Sequence, residues 1–131
     1  MKPLKRIMKA IIYFILCSLT MLYAAPLMKA DGIREYCSSK GLQAYQPRKI
    51  SWSEGKLACG TNVCWMDAKI DADDIARLPS GEEVDKSLWA INQPTNIKQN
   101  KCIIMNNGAL FTSKCDDLAR PMCETKHDEE L

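Results

Sequence analysis

The chain opens with an abrupt change of polarity. Lys2, Lys5, Arg6 and Lys9 precede a long apolar run from Ala10 to Leu22, which then meets the small residues Ala24 and Ala25. That order of charge, grease and small exit is the layout of a secretory signal. Cleavage is expected after Ala24, giving a signal peptide over residues 1–24. The rival, an uncleaved anchor, has only 16 residues from Ala10 to Ala25 against the roughly 20 that span hydrocarbon.

Beyond it the apolar positions come in short groups. Residues 25–35 read as an N-terminal arm, and Leu42, Tyr45 and Ile50 as members of strands broken by the turn Gln46-Pro47-Arg48-Lys49. A helix is expected next, capped by Ser51 or Ser53, with Glu54 at the positive end of its dipole. Trp52, Lys56 and Cys59 follow at helical spacing, and Gly60 is the stop. Val63 to Ile70 reads as a strand. Asp71 to Leu78 reads as one or two helical turns begun by Asp71, Asp73 and Asp74, and Pro79-Ser80-Gly81 as a turn.

The clearest signal lies nearer the C-terminus. Cys102 to Met105 has the β-branched content of a buried strand, Asn106-Asn107-Gly108 suits a hairpin turn at positive φ, and Ala109 to Thr112 returns. Such a hairpin brings Cys102 and Cys115 near one another at its open end. A last strand is expected over Arg120 to Glu124, followed by a polar tail, residues 125–131.

Charge changes meaning once the leader is set aside. Four of the 18 basic residues lie in it, so the remainder carries 14 basic against 16 acidic residues, and a nucleic-acid partner, which wants a clustered positive face, is not expected. Cys17 also lies in the leader. The other six cysteines, Cys37, Cys59, Cys64, Cys102, Cys115 and Cys123, form an even set in a small exported domain and are expected as three bridges, whose pairing spacing alone does not choose. No pair is spaced as a zinc site and the one histidine, His127, is in the tail, so no metal is expected. The same scarcity of histidine leaves no Ser-His or Cys-His pair, and an enzyme is not expected.

With Trp52-x-Glu54-x-x-x-x-Cys59, Trp89 four residues before Gln93-Pro94, then Cys102, Gly108, Cys115 and Cys123-Glu124, residues 36–124 resemble a C-type lectin-like domain. The resemblance implies an α+β, disulfide-stapled fold with one or two short helices packed on small antiparallel sheets. It implies a bridge from Cys59 to Cys123 and another from Cys102 to Cys115, leaving Cys37 with Cys64. In sugar-binding members of that family, a Glu-Pro-Asn or Gln-Pro-Asp triplet and a Trp-Asn-Asp triplet supply oxygens to calcium. Here the matching positions are Gln93-Pro94-Thr95 and Leu110-Phe111-Thr112. Calcium wants six to eight oxygens with charge among them, so no calcium cofactor is expected. The interval from Cys59 to Trp89 is also short for the family, and Leu88 to Ile91 is an alternative for its central strand.

These readings make the chain a secreted recognition module, calcium-independent, whose partner is an extracellular protein or glycan surface. Gln93, Thr95, Asn96, Asn106 and Asn107 are the candidate ligand-binding residues, and Trp65 or Phe111 the candidate exposed anchors, against a plain core role for the tryptophans. The alternatives are a carbohydrate-binding lectin with a rearranged site, sugar stacking on Trp89, and a small disulfide-rich effector or inhibitor. No membrane span is expected to remain after cleavage. Asp128-Glu129-Glu130-Leu131 looks like an endoplasmic reticulum retrieval signal with Asp128 out of pattern; secretion is the expected outcome and retention the alternative.

Overall fold

The computed structural model describes residues 25–95 and 98–126. After a 3-10 turn at Ala30–Gly32, helix α1 (Ile33–Ser38) and strand β1 (Gln43–Ala44) lead through a second 3-10 turn, Lys49–Ser51, into helix α2 (Trp52–Cys59). Strands β2 (Cys64–Ile70) and β3 (Ala76–Arg77) follow, then a 3-10 turn at Lys86–Leu88, β4 (Cys102–Asn106), β5 (Ala109–Ser113) and β6 (Cys123–Glu124). Two antiparallel sheets result. One is the short pair β1–β6, which ties the start of the described chain to its end; the other has the order β3-β2-β4-β5. This is the α+β, disulfide-stapled architecture that the resemblance implies.

Strand β2 is the centre of the molecule because it is covered on both faces. Met66, Ala68 and Ile70 enter a core with Tyr45, Ile103, Met105, Leu110 and Met122. Trp65 points the other way, into a second core with Ile33, Cys37, Leu42 and Ala44. The period of two along a strand produces that division. Trp65 is fully buried and its indole N–H donates to the Met28 carbonyl at 2.7 Å, so it is a core residue and not the exposed anchor considered from the sequence. Trp52 and Trp89 also pack on the core, each partly buried.

Helix α2 keeps its expected bounds. Gly60, at φ +60°, stops it, and its N–H donates back to the Lys56 carbonyl. The serine cap does not form, since Ser51 makes no side-chain capping bond. Its hydroxyl and carbonyl meet the Tyr45 hydroxyl instead, at 3.2 and 2.9 Å. Gly55 is buried directly beneath the Tyr45 ring, where a side chain would collide with the phenol.

Several expectations are corrected. Ile33–Ser38, read partly as an arm, is helical, and Ile50 is not in a strand but on an exposed 3-10 turn. Asp71 to Leu78 is not helical. The Asp71 carboxylate accepts the N–H groups of Asp73 and Ile75, Asp74 adopts φ +62°, and the chain reverses into β3. A side chain that satisfies those donors replaces the helical hydrogen bonds that would have competed. The last strand is shorter than expected, only Cys123–Glu124, and Leu88 closes a 3-10 turn while the central strand is β2.

The largest correction concerns the bridges. All six cysteines among the described residues are paired, but as Cys37–Cys123, Cys59–Cys64 and Cys102–Cys115. Only the last pair matches the implied pattern. Cys59 ends α2, and the turn at Gly60 returns the chain to Cys64 with Cα atoms 6.1 Å apart. Cys37, on α1, lies 5.5 Å from Cys123 because the strand after α1 is the one that pairs with β6. The helix joined to the closing strand is therefore α1, one helix earlier than the sequence match placed it.

Candidate functional site

The segment from Trp89 to Thr95 runs beside β5, the edge of the larger sheet. Trp89 bridges to Leu110 in a parallel sense, and the Ala90 N–H donates to the Leu110 carbonyl at 3.0 Å. The chain then turns through Ile91 and Asn92, with Asn92 at φ +67°, and the Gln93–Pro94 peptide is cis. Gln93 and Thr95, on either side of Pro94, both reach the same point on β5.

That point is Thr112. Its backbone N–H donates to Gln93 Oε1 at 3.0 Å, its hydroxyl donates to the same oxygen at 3.2 Å, and the Thr95 hydroxyl is hydrogen-bonded to the Thr112 hydroxyl. The two positions matched to the family's calcium triplets are therefore joined directly. Every group in this cluster is neutral, and Gln93 Oε1, the oxygen that would face an ion, already accepts two hydrogens. Among the described residues no three His, Cys, Asp or Glu side chains converge. The cluster does not fit calcium, which needs anionic oxygens in number.

The other candidate residues lie elsewhere. Asn106 and Asn107 are at the turn between β4 and β5, with Asn107 at φ +50° and exposed. Thr112 is three residues along β5 from Ala109, about 10 Å at strand rise, so the turn and the Gln93 cluster are separate features. The turn abuts α2 instead, where the Lys56 stem lies over Gly108. Asn96 falls outside the described residues.

One exposed apolar side chain beside this cluster was not among the candidates read from sequence. Ile91 is 90% exposed at the tip of the turn beside Gln93, among the most exposed large apolar side chains described. Phe111, considered as an anchor, is half-buried. The signal for Ile91 was available: an apolar residue in a turn, between the half-buried Trp89 and a Gln-Pro pair, has no strand or helix face on which to hide. The base of the segment is held by Asp85, whose carboxylate lies below its usual range because the Ser87 hydroxyl and N–H both donate to it.

No family model matches this chain, and no curated protein does. Solved structures do. A C-type lectin from the tunicate Polyandrocarpa misakiensis is 21% identical, with 76% of this chain and 91% of that one covered at a TM-score of 0.64. A calcium-independent type II antifreeze protein is 17% identical over 76% of this chain and 79% of its own, also at 0.64. The carbohydrate-recognition domain of mouse scavenger receptor C-type lectin is similar at 17% identity, 76% and 84% coverage and 0.64. The chain has the C-type lectin-like fold.

Proposed function

We propose that this chain is an exported recognition module that binds an extracellular protein or glycan surface without calcium, through the Ile91–Thr95 turn and the adjoining end of β5. The observation that carries the reading is Thr112, which engages Gln93 and Thr95 by neutral hydrogen bonds where sugar-binding relatives would hold an ion. A protein named as a calcium-independent antifreeze protein has the same fold, which supports a scaffold that stands without the metal. Export is supported by three bridges in so small a chain. Among the described residues no helix is long and apolar enough to cross a membrane. A non-catalytic role is supported by the lectin-like character of the structures it resembles.

The binding surface is small, so its chemistry must be economical. Ile91 supplies apolar area that gains by leaving water, about 2 kcal/mol if fully covered. Exposed donors and acceptors beside it set orientation, as at the polar rim of an interface. The test is an array of glycans and extracellular proteins probed with the purified chain, with and without chelator. Retained binding under chelation, lost in Ile91→Asp, is the expected result; binding that appears only with calcium overturns the proposal.

A further inference from the structure

Among the described residues Asp67 is the one buried charged side chain, 8% exposed. It lies on β2 where the pairing with β4 is irregular, between Trp65 opposite Ile104 and Lys69 opposite Cys102. The extra residues bow the strand, and the Asp67 N–H leaves the ladder to donate to the Tyr45 carbonyl at 2.7 Å. Beside the bow is a cleft of about 180 Å³ between β2 and the Ala30–Ser38 helical stretch, lined among others by Asp31, Ile33, Arg34, Asp67 and Lys69.

The charges around this cleft are half used. Arg34 places both Nε and Nη2 on a single oxygen, Asp67 Oδ1, each at 3.0 Å. Asp67 Oδ2 has no protein partner among the described residues and still meets solvent. Arg34 is 64% exposed, so the outer edge of its guanidinium is open. Asp31 and Lys69, the remaining charged residues of the lining, form no ion pair with each other or with anything else described. The pair is end-on, so Asp67 Oδ2 keeps its lone pairs available at the cleft.

We infer that the cleft between α1 and β2 is a binding site for a small zwitterion of the free α-amino acid class, separate from the Ile91–Thr95 surface. Its ammonium is received by Asp67 Oδ2 with Asp31, and its carboxylate by the open edge of Arg34 with Lys69. Two acidic and two basic residues give a lining of zero net charge, complementary to a ligand that is itself neutral but strongly dipolar. Arg34 offers the planar fork that suits a carboxylate, and Asp67 holds that fork in place before the ligand arrives. The size agrees: a cavity of about 150 Å³ takes a benzene molecule, and Ile33 supplies an apolar wall for a small side chain.

The probes are L-leucine, 3-methylbutylamine, which lacks the carboxylate, and 4-methylpentanoate, which lacks the amine. Each is titrated into the isotopically labelled disulfide-bonded protein while backbone amide shifts are recorded. L-Leucine is expected to give saturable shifts at Asp31, Arg34 and Asp67 to Lys69, with Kd on the order of 1 mM for so small a ligand. Each truncated probe is expected to bind about tenfold more weakly, having lost one charge-assisted contact. Lys69→Gln and Asp31→Asn, exposed positions with no partner in the fold, are expected to weaken L-leucine severalfold while leaving the remaining spectrum unchanged. The inference is overturned if L-leucine gives no saturable shift, if either truncated probe binds as tightly, or if the shifts map to Gln93 and Thr112.

Discussion

Gln93 Oε1 accepts both the backbone N–H and the hydroxyl of Thr112, at 3.0 and 3.2 Å. A single side-chain oxygen thus meets the outer edge of β5, on the side away from Ile103 of β4, with which Thr112 pairs. Removing it in Gln93→Ala leaves a half-buried N–H without its acceptor, at a cost of about 1–2 kcal/mol. Gln93→Glu keeps an acceptor oxygen and should retain most of that stability. Urea denaturation of the three proteins measures the difference; an alanine variant as stable as the parent would show that Thr112 does not depend on Gln93.

The three bridges differ in what they constrain. Cys37–Cys123 joins residues 86 apart in sequence, while Cys59–Cys64 spans five. In the loop-entropy account the long closure contributes roughly 4–5 kcal/mol and the short one about 2. Replacing both cysteines of the first pair by serine is therefore expected to be the more damaging change, and in a chain this small to abolish folding near body temperature. Thermal unfolding of the two double variants should place them in that order. Proteolytic mapping of the unreduced protein should recover Cys37 with Cys123 and Cys59 with Cys64 as linked peptides.

What the sequence disclosed depended on whether a residue's partners were near it in the chain. The hairpin from Cys102 to Ser113 was legible because its turn chemistry and its disulfide are both local. Helix α2 was legible from its spacing and from Gly60. The pairing of Cys37 was not, because it is set by β1 meeting β6 across nearly the whole chain. A cue did exist: Gly41, at φ +73°, follows Cys37 by four residues and precedes Leu42 and Ala44, both of which enter the same core as Cys37. That is a helix stop followed by a buried strand, repeated later as Cys59, Gly60 and β2, and the later copy drew the match. The Gln93 and Thr112 positions were found in sequence, but their direct bond was not, since it joins residues 19 apart with no local pattern to announce it.

Gly55 separates helix propensity from packing. In an exposed helix, Gly→Ala gains about 1 kcal/mol. Here an alanine methyl would lie 2.6 Å from Tyr45 Cζ, and the ring, buried in the core and hydrogen-bonded to Ser51, has nowhere to withdraw. Overpacking of this kind costs roughly 1–3 kcal/mol, sometimes more, and should outweigh the propensity gain. Gly55→Ala is expected to be destabilised by about 1–2 kcal/mol, read by chemical denaturation. Ser53→Ala, exposed on the same helix, serves as the control that shows the propensity gain alone.

Tyr45 makes stability depend on alkaline pH. Burial is the main reason its phenol ionises above the ordinary value of 10.0; the Ser51 hydrogen bond acts the other way, and the negative charges of Glu124 and Glu54 add to the rise. Between that value and the raised one, the unfolded chain has released the proton while the native state still holds it. The unfolded state then binds fewer protons, so stability falls as pH rises through this window, and the contribution is complete only below pH 10. Tyr45→Phe removes the proton and with it this part of the loss. It also forfeits the bond to Ser51, so the variant should be less stable than the parent at neutral pH. Denaturation series across the alkaline range should therefore show two curves that converge above pH 10, whereas curves that stay parallel would mean that Tyr45 ionises equally readily in both states.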